Sequence, residues 1–132
     1  MFVDASAIVA ILTREPEADA LADVLEGDPS PITSAIAIFE TALEICRKRH
    51  ASVEEAEQDV GEFLELARVR TAPITDKEAH SALAAFSRYG TGHPAQLNLG
   101  NCFAYAMAKN ARVTLLFKGE HFDKTDTLPG VR

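Results

Sequence analysis

Four places in the chain carry oxygen-bearing side chains where an α/β protein would expose them: Asp4, Glu40, Asn101 and the pair Glu120-His121. Asp4 closes the short apolar run Phe2-Val3 and is followed by Ile8, Val9, Ile11 and Leu12, the pattern of a buried strand turning into a helix. In an open parallel sheet such a turn lies at the carboxyl end of a strand, where ligands and metals bind. A plainer role is open too, since Asp4 or Ser6 could simply cap the helix. Glu40 interrupts an otherwise apolar stretch, so it should be partly buried and in need of a cation or hydrogen-bond partner. Glu44, four residues on, shares its helix face but stands one turn from Arg47-Lys48-Arg49, and it reads as half of an ion pair. Asn101 sits in the first turn of a helix, where it could also serve as a cap. Glu120-His121 follow the clearest strand, Val113 to Phe117. Oxygen ligands converging from separate elements are what Mg²⁺ or Mn²⁺ requires.

The elements that must position these groups follow from the hydrophobic periodicity. Pro16-Glu17 opens a second helix that Gly27-Asp28-Pro29 ends, forming a helical hairpin beside the sheet with the first. Pro31 to Ser34 predicts a short strand and cap leading into a helix with Ile36, Phe39, Leu43 and Cys46 as its buried stripe. Ser52-Val53-Glu54-Glu55 is a capping-box pattern for a helix through Val60, Phe63, Leu64 and Ala67. Arg68 to Ile74 alternates like a strand, and Asp76 caps a helix with Ala79, Leu83, Ala84 and Phe86 inward and Gly90 at its end. Thr91 to Leu99 is loop-like, and Gly100-Asn101 open a buried helix. The tail from Asp123 to Arg132, with Pro129-Gly130, has little to pack. His80 has no His or Cys at metal spacing and is given no role.

At 132 residues, 47% hydrophobic and 25% charged, the chain suits one soluble globular domain spanning 1–132. Its net charge of −7 argues against a broad non-specific grip on nucleic acid, which comes from Lys and Arg neutralising phosphates. That acidity suits a carboxylate metal site or a basic partner. No apolar run reaches the length of a membrane span, and the first residues lack signal-peptide features, so a cytoplasmic protein with no membrane association is expected. Cys46 and Cys102 lie in apolar helical patterns without metal spacing and are expected to be buried reduced thiols. No Gly-rich phosphate loop follows any strand, which sets aside a nucleotide-binding domain.

Taken together, several stretches resemble the PIN-domain family, and most closely its VapC toxin branch. They are Phe2-Val3-Asp4-Ala5-Ser6-Ala7, Ser34-Ala35 with Glu40-Thr41-Ala42, Leu97 to Ala106, and Leu115-Leu116-Phe117-Lys118-Gly119 with Phe122 and Thr125-Asp126. The resemblance implies a three-layer α/β/α domain with a short central parallel sheet. It also implies a Mg²⁺- or Mn²⁺-dependent endoribonuclease acting on RNA, the toxin of a type II toxin–antitoxin pair, neutralised by a cognate VapB-like antitoxin and homodimeric within that complex. Asp4, Glu40, Asn101 and Glu120 are the expected catalytic set, with Asp4, Asn101 and Glu40 as metal ligands. Two departures stand out: family members usually carry Asp at the position of Asn101 and an acid at that of His121. Glu120 would supply the missing charge from one residue away. The rival reading is a catalytically weakened or silent PIN module that retains antitoxin binding.

Overall fold

The computed structural model describes residues 1–127 and Gly130. Four strands of two residues each, β1 (Phe2–Val3), β2 (Ile32–Thr33), β3 (Arg70–Thr71) and β4 (Leu115–Leu116), form a parallel sheet in the order β3-β2-β1-β4. Phe2 pairs with Ile32 on one side and Leu115 on the other. Six helices accompany them: α1 (Ala5–Leu12), α2 (Ala18–Glu26), α3 (Ala35–Arg49), α4 (Val53–Leu66), α5 (Asp76–Tyr89) and α6 (Leu99–Ala111).

Strand alternation divides the interior in two. Phe2, Ile32 and Leu115 face a core filled by Ala82, Ala85 and Tyr89 of α5 and Cys102, Tyr105, Ala106 and Met107 of α6. Val3 and Leu116 face the other way, onto Ala7, Ile8 and Ala10 of α1 and Leu21 and Leu25 of α2, with Phe63 and Leu64 of α4 against them. This is the expected three-layer arrangement. Since β2 and β4 flank β1 on opposite sides, the chain reverses direction across the sheet beside β1, and Asp4 emerges at that switch point. The Asp4 amide donates to the Leu116 carbonyl at 2.9 Å, which ties the turn to the sheet.

Most helix starts carry the caps that their sequence suggests. Ser34 caps α3, and reciprocal capping boxes open α4 (Ser52 with Glu55), α5 (Thr75 with Glu78) and α6 (Asn98 with Asn101). The α5 cap is therefore Thr75, one residue before Asp76. The Glu78 carboxyl is held down at about 2, chiefly by the Thr75 hydroxyl and then by the Asn110 amide.

Two helix phases differ from expectation. On α3 the buried residues are Ala37, Thr41 and Ile45, while Phe39 is 64% and Leu43 51% exposed. On α5 Ala82, Ala85 and Tyr89 face inward, and Leu83 and Phe86 face out. In both helices an alanine-containing face packs closely on neighbouring elements, and Phe39, Leu43, Leu83 and Phe86 are left on the surface. Similarly, Ile8 and Val9 of α1 are consumed by the core rather than left as surplus apolar surface. Cys102 is buried as expected, but Cys46 is only half-buried, and both are free thiols. Of the Arg68–Ile74 segment only Arg70–Thr71 pairs as strand.

The last described segment is anchored rather than loose. Asp126 accepts hydrogen bonds from Tyr105 Oη (2.6 Å), Tyr89 Oη (3.2 Å) and Lys109 Nζ (2.9 Å), and Phe122 is buried. The Tyr105 hydroxyl is the main reason the Asp126 carboxyl sits at about 2. Gly130 donates to the Leu115 carbonyl at 2.7 Å, while Leu128, Pro129, Val131 and Arg132 lie outside the described residues. Among the described residues no helix is long and apolar enough to cross a membrane.

Candidate active site

A crevice of about 500 Å³ opens at the carboxyl end of β1. Asp4, Ser6, Glu15, Glu40, Asn101 and His121 are among the residues that line it. Asp4, almost fully buried, is the N-cap of α1, and its Oδ2 accepts from the Ser6 amide at 3.0 Å and the Ser6 hydroxyl at 2.6 Å. The capping role and the site role thus fall on one residue, whose other carboxylate oxygen is free of these bonds. Burial raises the Asp4 pKa, against the lowering effect of the Ser6 bonds.

Glu40 comes from the middle of α3. Burial pushes its carboxyl up to about 6, and the nearby Asp4 charge adds to the shift. Among the described residues it has no salt bridge, unlike Glu44, which pairs with Arg47 through Nε at 3.1 Å. Its carboxylate lies directly over Gly100, the second residue of α6, where even one methyl group would overlap it. Gly100 has ordinary helical geometry, so its role is to leave room for the Glu40 carboxylate rather than to supply an unusual backbone conformation.

Asn101 lines the crevice at the third residue of α6, but its Oδ1 already accepts from the Asn98 amide at 3.2 Å. Asn101 is thus the N3 partner of Asn98 in the α6 capping box and also borders the crevice. Glu120 is exposed and is not among the residues lining the crevice. His121 lines it instead, with Nδ1 2.9 Å from the Ala95 carbonyl. Gly119, with a φ of +108°, turns the chain after β4 just before both residues.

These donors suit a hard divalent cation that keeps most of its water. Two carboxylates repel each other across a part-buried crevice, an arrangement that a dication would neutralise. Among the described residues no three His, Cys, Asp or Glu side chains cluster closely enough to hold a metal alone. Mg²⁺ in particular is commonly held by one or two carboxylates plus waters and substrate phosphate oxygens.

A family model described as PIN domain matches residues 1–128. The chain is 42% identical over 127 residues to a protein of Mycolicibacterium smegmatis named ribonuclease VapC, covering 96% of each. It is 38% identical to ribonuclease VapC28 of Mycobacterium tuberculosis, covering 95% of this chain and 93% of that one. The chain belongs to the PIN-domain family, in its VapC branch. The crystal structure of M. tuberculosis VapC20, a sarcin–ricin-loop-cleaving toxin, superposes with a TM-score of 0.79 at 16% identity, over 99% of this chain and 98% of that one. A toxin–antitoxin complex from Klebsiella pneumoniae gives 0.68 at 19%, over 99% and 94%. Both confirm the PIN fold.

The sequence reading of this PIN domain missed Ser6, which orients Asp4, and Gly100, which admits Glu40. The Ser two residues after the acid was the available signal for the first, as in other short Asx and N-cap motifs. Nothing local signalled the second, because α3 and α6 meet only in the fold.

The raised Glu40 pKa has a testable sign. Its folded value lies above the ordinary 4.5, so the stability linked to it is full below about pH 4.5 and is lost as pH rises through about 6. In EDTA, Glu40→Gln is expected to melt close to the parent at pH 5 and about 2–4 °C above it at pH 7.5. Equal melting temperatures at both pH values would show that Glu40 is not destabilised by burial and Asp4. Gly100→Ala is expected to hold or raise the melting temperature, since alanine favours a helix by up to ~1 kcal/mol. The added methyl should nevertheless displace the Glu40 carboxylate and weaken Mn²⁺ binding by roughly tenfold in calorimetry. Unchanged Mn²⁺ affinity would remove Glu40 from the metal site.

Proposed function

We propose that this PIN domain is the toxin of a toxin–antitoxin pair, an endoribonuclease that uses Mg²⁺ or Mn²⁺ and is silenced by a cognate antitoxin. The observation that carries the reading is the pair Asp4 and Glu40, which face one crevice at the switch point of the sheet closely enough for the Asp4 charge to raise the Glu40 pKa. Relatives named VapC ribonucleases, aligned over nearly the whole chain, point the same way.

Asp4, Glu40 and Asn101 would hold the cation, which supplies Lewis-acid stabilisation of the phosphate and a more acidic bound water. Ser6 fixes the rotamer of Asp4 through two hydrogen bonds, so one carboxylate oxygen stays directed at the crevice. Glu40, facing the same crevice as Asp4, would support the cation or orient water there. Its position over Gly100 keeps it within reach of Asp4's charge. Asn101 brings an oxygen without charge, and that oxygen is shared with the cap of α6. An antitoxin arginine reaching the same two carboxylates would satisfy them in place of metal, with charge-assisted hydrogen bonds.

A second copy of the chain is the proposed partner for the apolar surface of α5 and α6. Leu83 and Phe86 of α5 and Leu99 and Phe103 of α6 line an apolar groove, and Phe39 of α3 is exposed beside Glu40. Large apolar side chains in contact on a surface mark an interaction site. Sedimentation is expected to show a dimer that Leu83→Glu with Phe86→Glu converts to monomer. A monomeric parent at tens of micromolar would refute it.

The catalytic test turns on Asn101. Restoring a charge with Asn101→Asp is expected to tighten Mg²⁺ binding and speed RNA cleavage on the order of a hundredfold, while Asp4→Ala abolishes cleavage. The measurement is cleavage of a structured RNA across Mg²⁺ and Mn²⁺ titrations, with calorimetry on the same proteins. If Asn101→Asp changes neither quantity while Asp4→Ala abolishes cleavage, Asn101 is only a cap. If the parent binds no metal and cleaves nothing even as Asn101→Asp, the silent-module reading replaces the ribonuclease.

A further inference from the structure

The crevice has a mouth as well as a floor, and its charges are arranged differently there. Among the described residues, its only Lys or Arg side chains are Lys48 of α3 and Lys118, just after β4. Both are held by one acid, Glu15, in the turn between α1 and α2. Lys48 Nζ donates to Glu15 Oε1 at 2.6 Å and Lys118 Nζ to Glu15 Oε2 at 2.9 Å, with Glu17 Oε2 a further 3.1 Å partner of Lys118. Three separate segments meet at this carboxylate.

Lys118 is also tied to the reacting end of the site. Its backbone amide donates to Ser6 Oγ at 3.0 Å, and Ser6 Oγ in turn donates to Asp4 Oδ2 at 2.6 Å. A phosphate held by Lys118 would therefore have a fixed position relative to Asp4. The need for such a grip is electrostatic. The chain carries a net charge of −7, and Asp4, Glu15, Glu40 and Glu44 all line this crevice, so a polyanion entering it meets repulsion that the two lysines, beside any bound dication, would offset. Glu44 is occupied by Arg47, which leaves Glu15 and Glu17 as the groups competing for the lysines. Glu15 and Lys118 keep 20% and 36% of their side-chain surface exposed, and ion pairs this accessible are weak enough for phosphate to displace.

We infer that Lys48 and Lys118 are the RNA-phosphate grip of this site, and that Glu15 is an internal phosphate mimic that occupies the two lysines until RNA takes its place. The inference rests on the ribonuclease reading and adds to it the residues that bind the substrate backbone. Glu15 lowers affinity for any anion too weak to compete, and so restricts entry to strands that present phosphates to both lysines at once.

Salt dependence separates this from a merely structural role, because each lysine that neutralises a phosphate adds about 0.7 to the slope of log K against log salt for single-stranded RNA. The experiment is fluorescence anisotropy with a labelled RNA hairpin in EDTA from 25 to 300 mM KCl, alongside cleavage kinetics in Mn²⁺. Lys48→Ala and Lys118→Ala are each expected to weaken binding roughly threefold to tenfold and to lower the slope by about 0.7, raising KM more than they change kcat. Glu15→Gln is expected to tighten binding several-fold. Lys77→Ala, which removes the same charge from the start of α5, should leave slope and KM unchanged. A parent that binds and cleaves RNA while both lysine variants keep its slope overturns this inference and leaves the ribonuclease intact. Weaker binding by Glu15→Gln overturns it as well, by showing that Glu15 orders the lysines instead of competing for them. A parent that neither binds nor cleaves RNA removes the ribonuclease reading, and this one with it.

Discussion

Two acids that repel each other across one crevice set the terms for the rest of this protein. Asp4 is nearly buried and Glu40 partly so, and burial together with their mutual repulsion raises the pKa of Glu40 to about 6. A fold does not hold such a pair without local arrangements. Ser6 gives Asp4 two hydrogen bonds, and the amide of Asp4 is locked to β4. Glu40 can lie where it does because the second residue of α6, Gly100, has no side chain. Each arrangement keeps a carboxylate at the crevice at some cost to the stability of the fold.

The sheet that carries this site is minimal. Strands of two residues supply few ladder hydrogen bonds, so the layers are held mainly by side chains that alternate between two cores. Phe2 and Val3 enter opposite cores one residue before Asp4, which fixes the direction of the turn that follows. Thr33 adds a buried hydrogen bond to the Val3 carbonyl at 2.8 Å, joining β2 to the same point. The end of β1 is thus the most constrained part of the backbone, as a site with little tolerance for misplacement requires.

An acidic chain that acts on a polyanion must confine attraction to a few places. Here the basic groups near the crevice are few and mostly engaged: Arg47 with Glu44, and Lys48 and Lys118 with Glu15. The same carboxylates that discourage loose RNA binding are suited to a dication or to an antitoxin's guanidinium group. Activity and its suppression can therefore compete for one set of oxygens.

The sequence by itself determined the strand preceding Asp4, the Ser52-Glu55 capping box and the partial burial of Glu40. All of these are local, resting on periodicity, cap chemistry and one acid set in an apolar run. It also brought Asp4, Glu40 and Asn101 together through family resemblance. What only the tertiary structure decided were facts that depend on distant segments meeting. Phe39 and Leu43 are exposed because the Ala37, Thr41 and Ile45 face of α3 is the one that packs inward. His121 rather than Glu120 faces the crevice, beyond a positive-φ glycine that turns the chain after β4. Gly100 matters because α3 passes over the start of α6, and Glu15 because three loops and helices converge on it. Sequence spacing records which side a residue takes within its own element, whereas the contacts that fill this site cross between elements up to 112 residues apart.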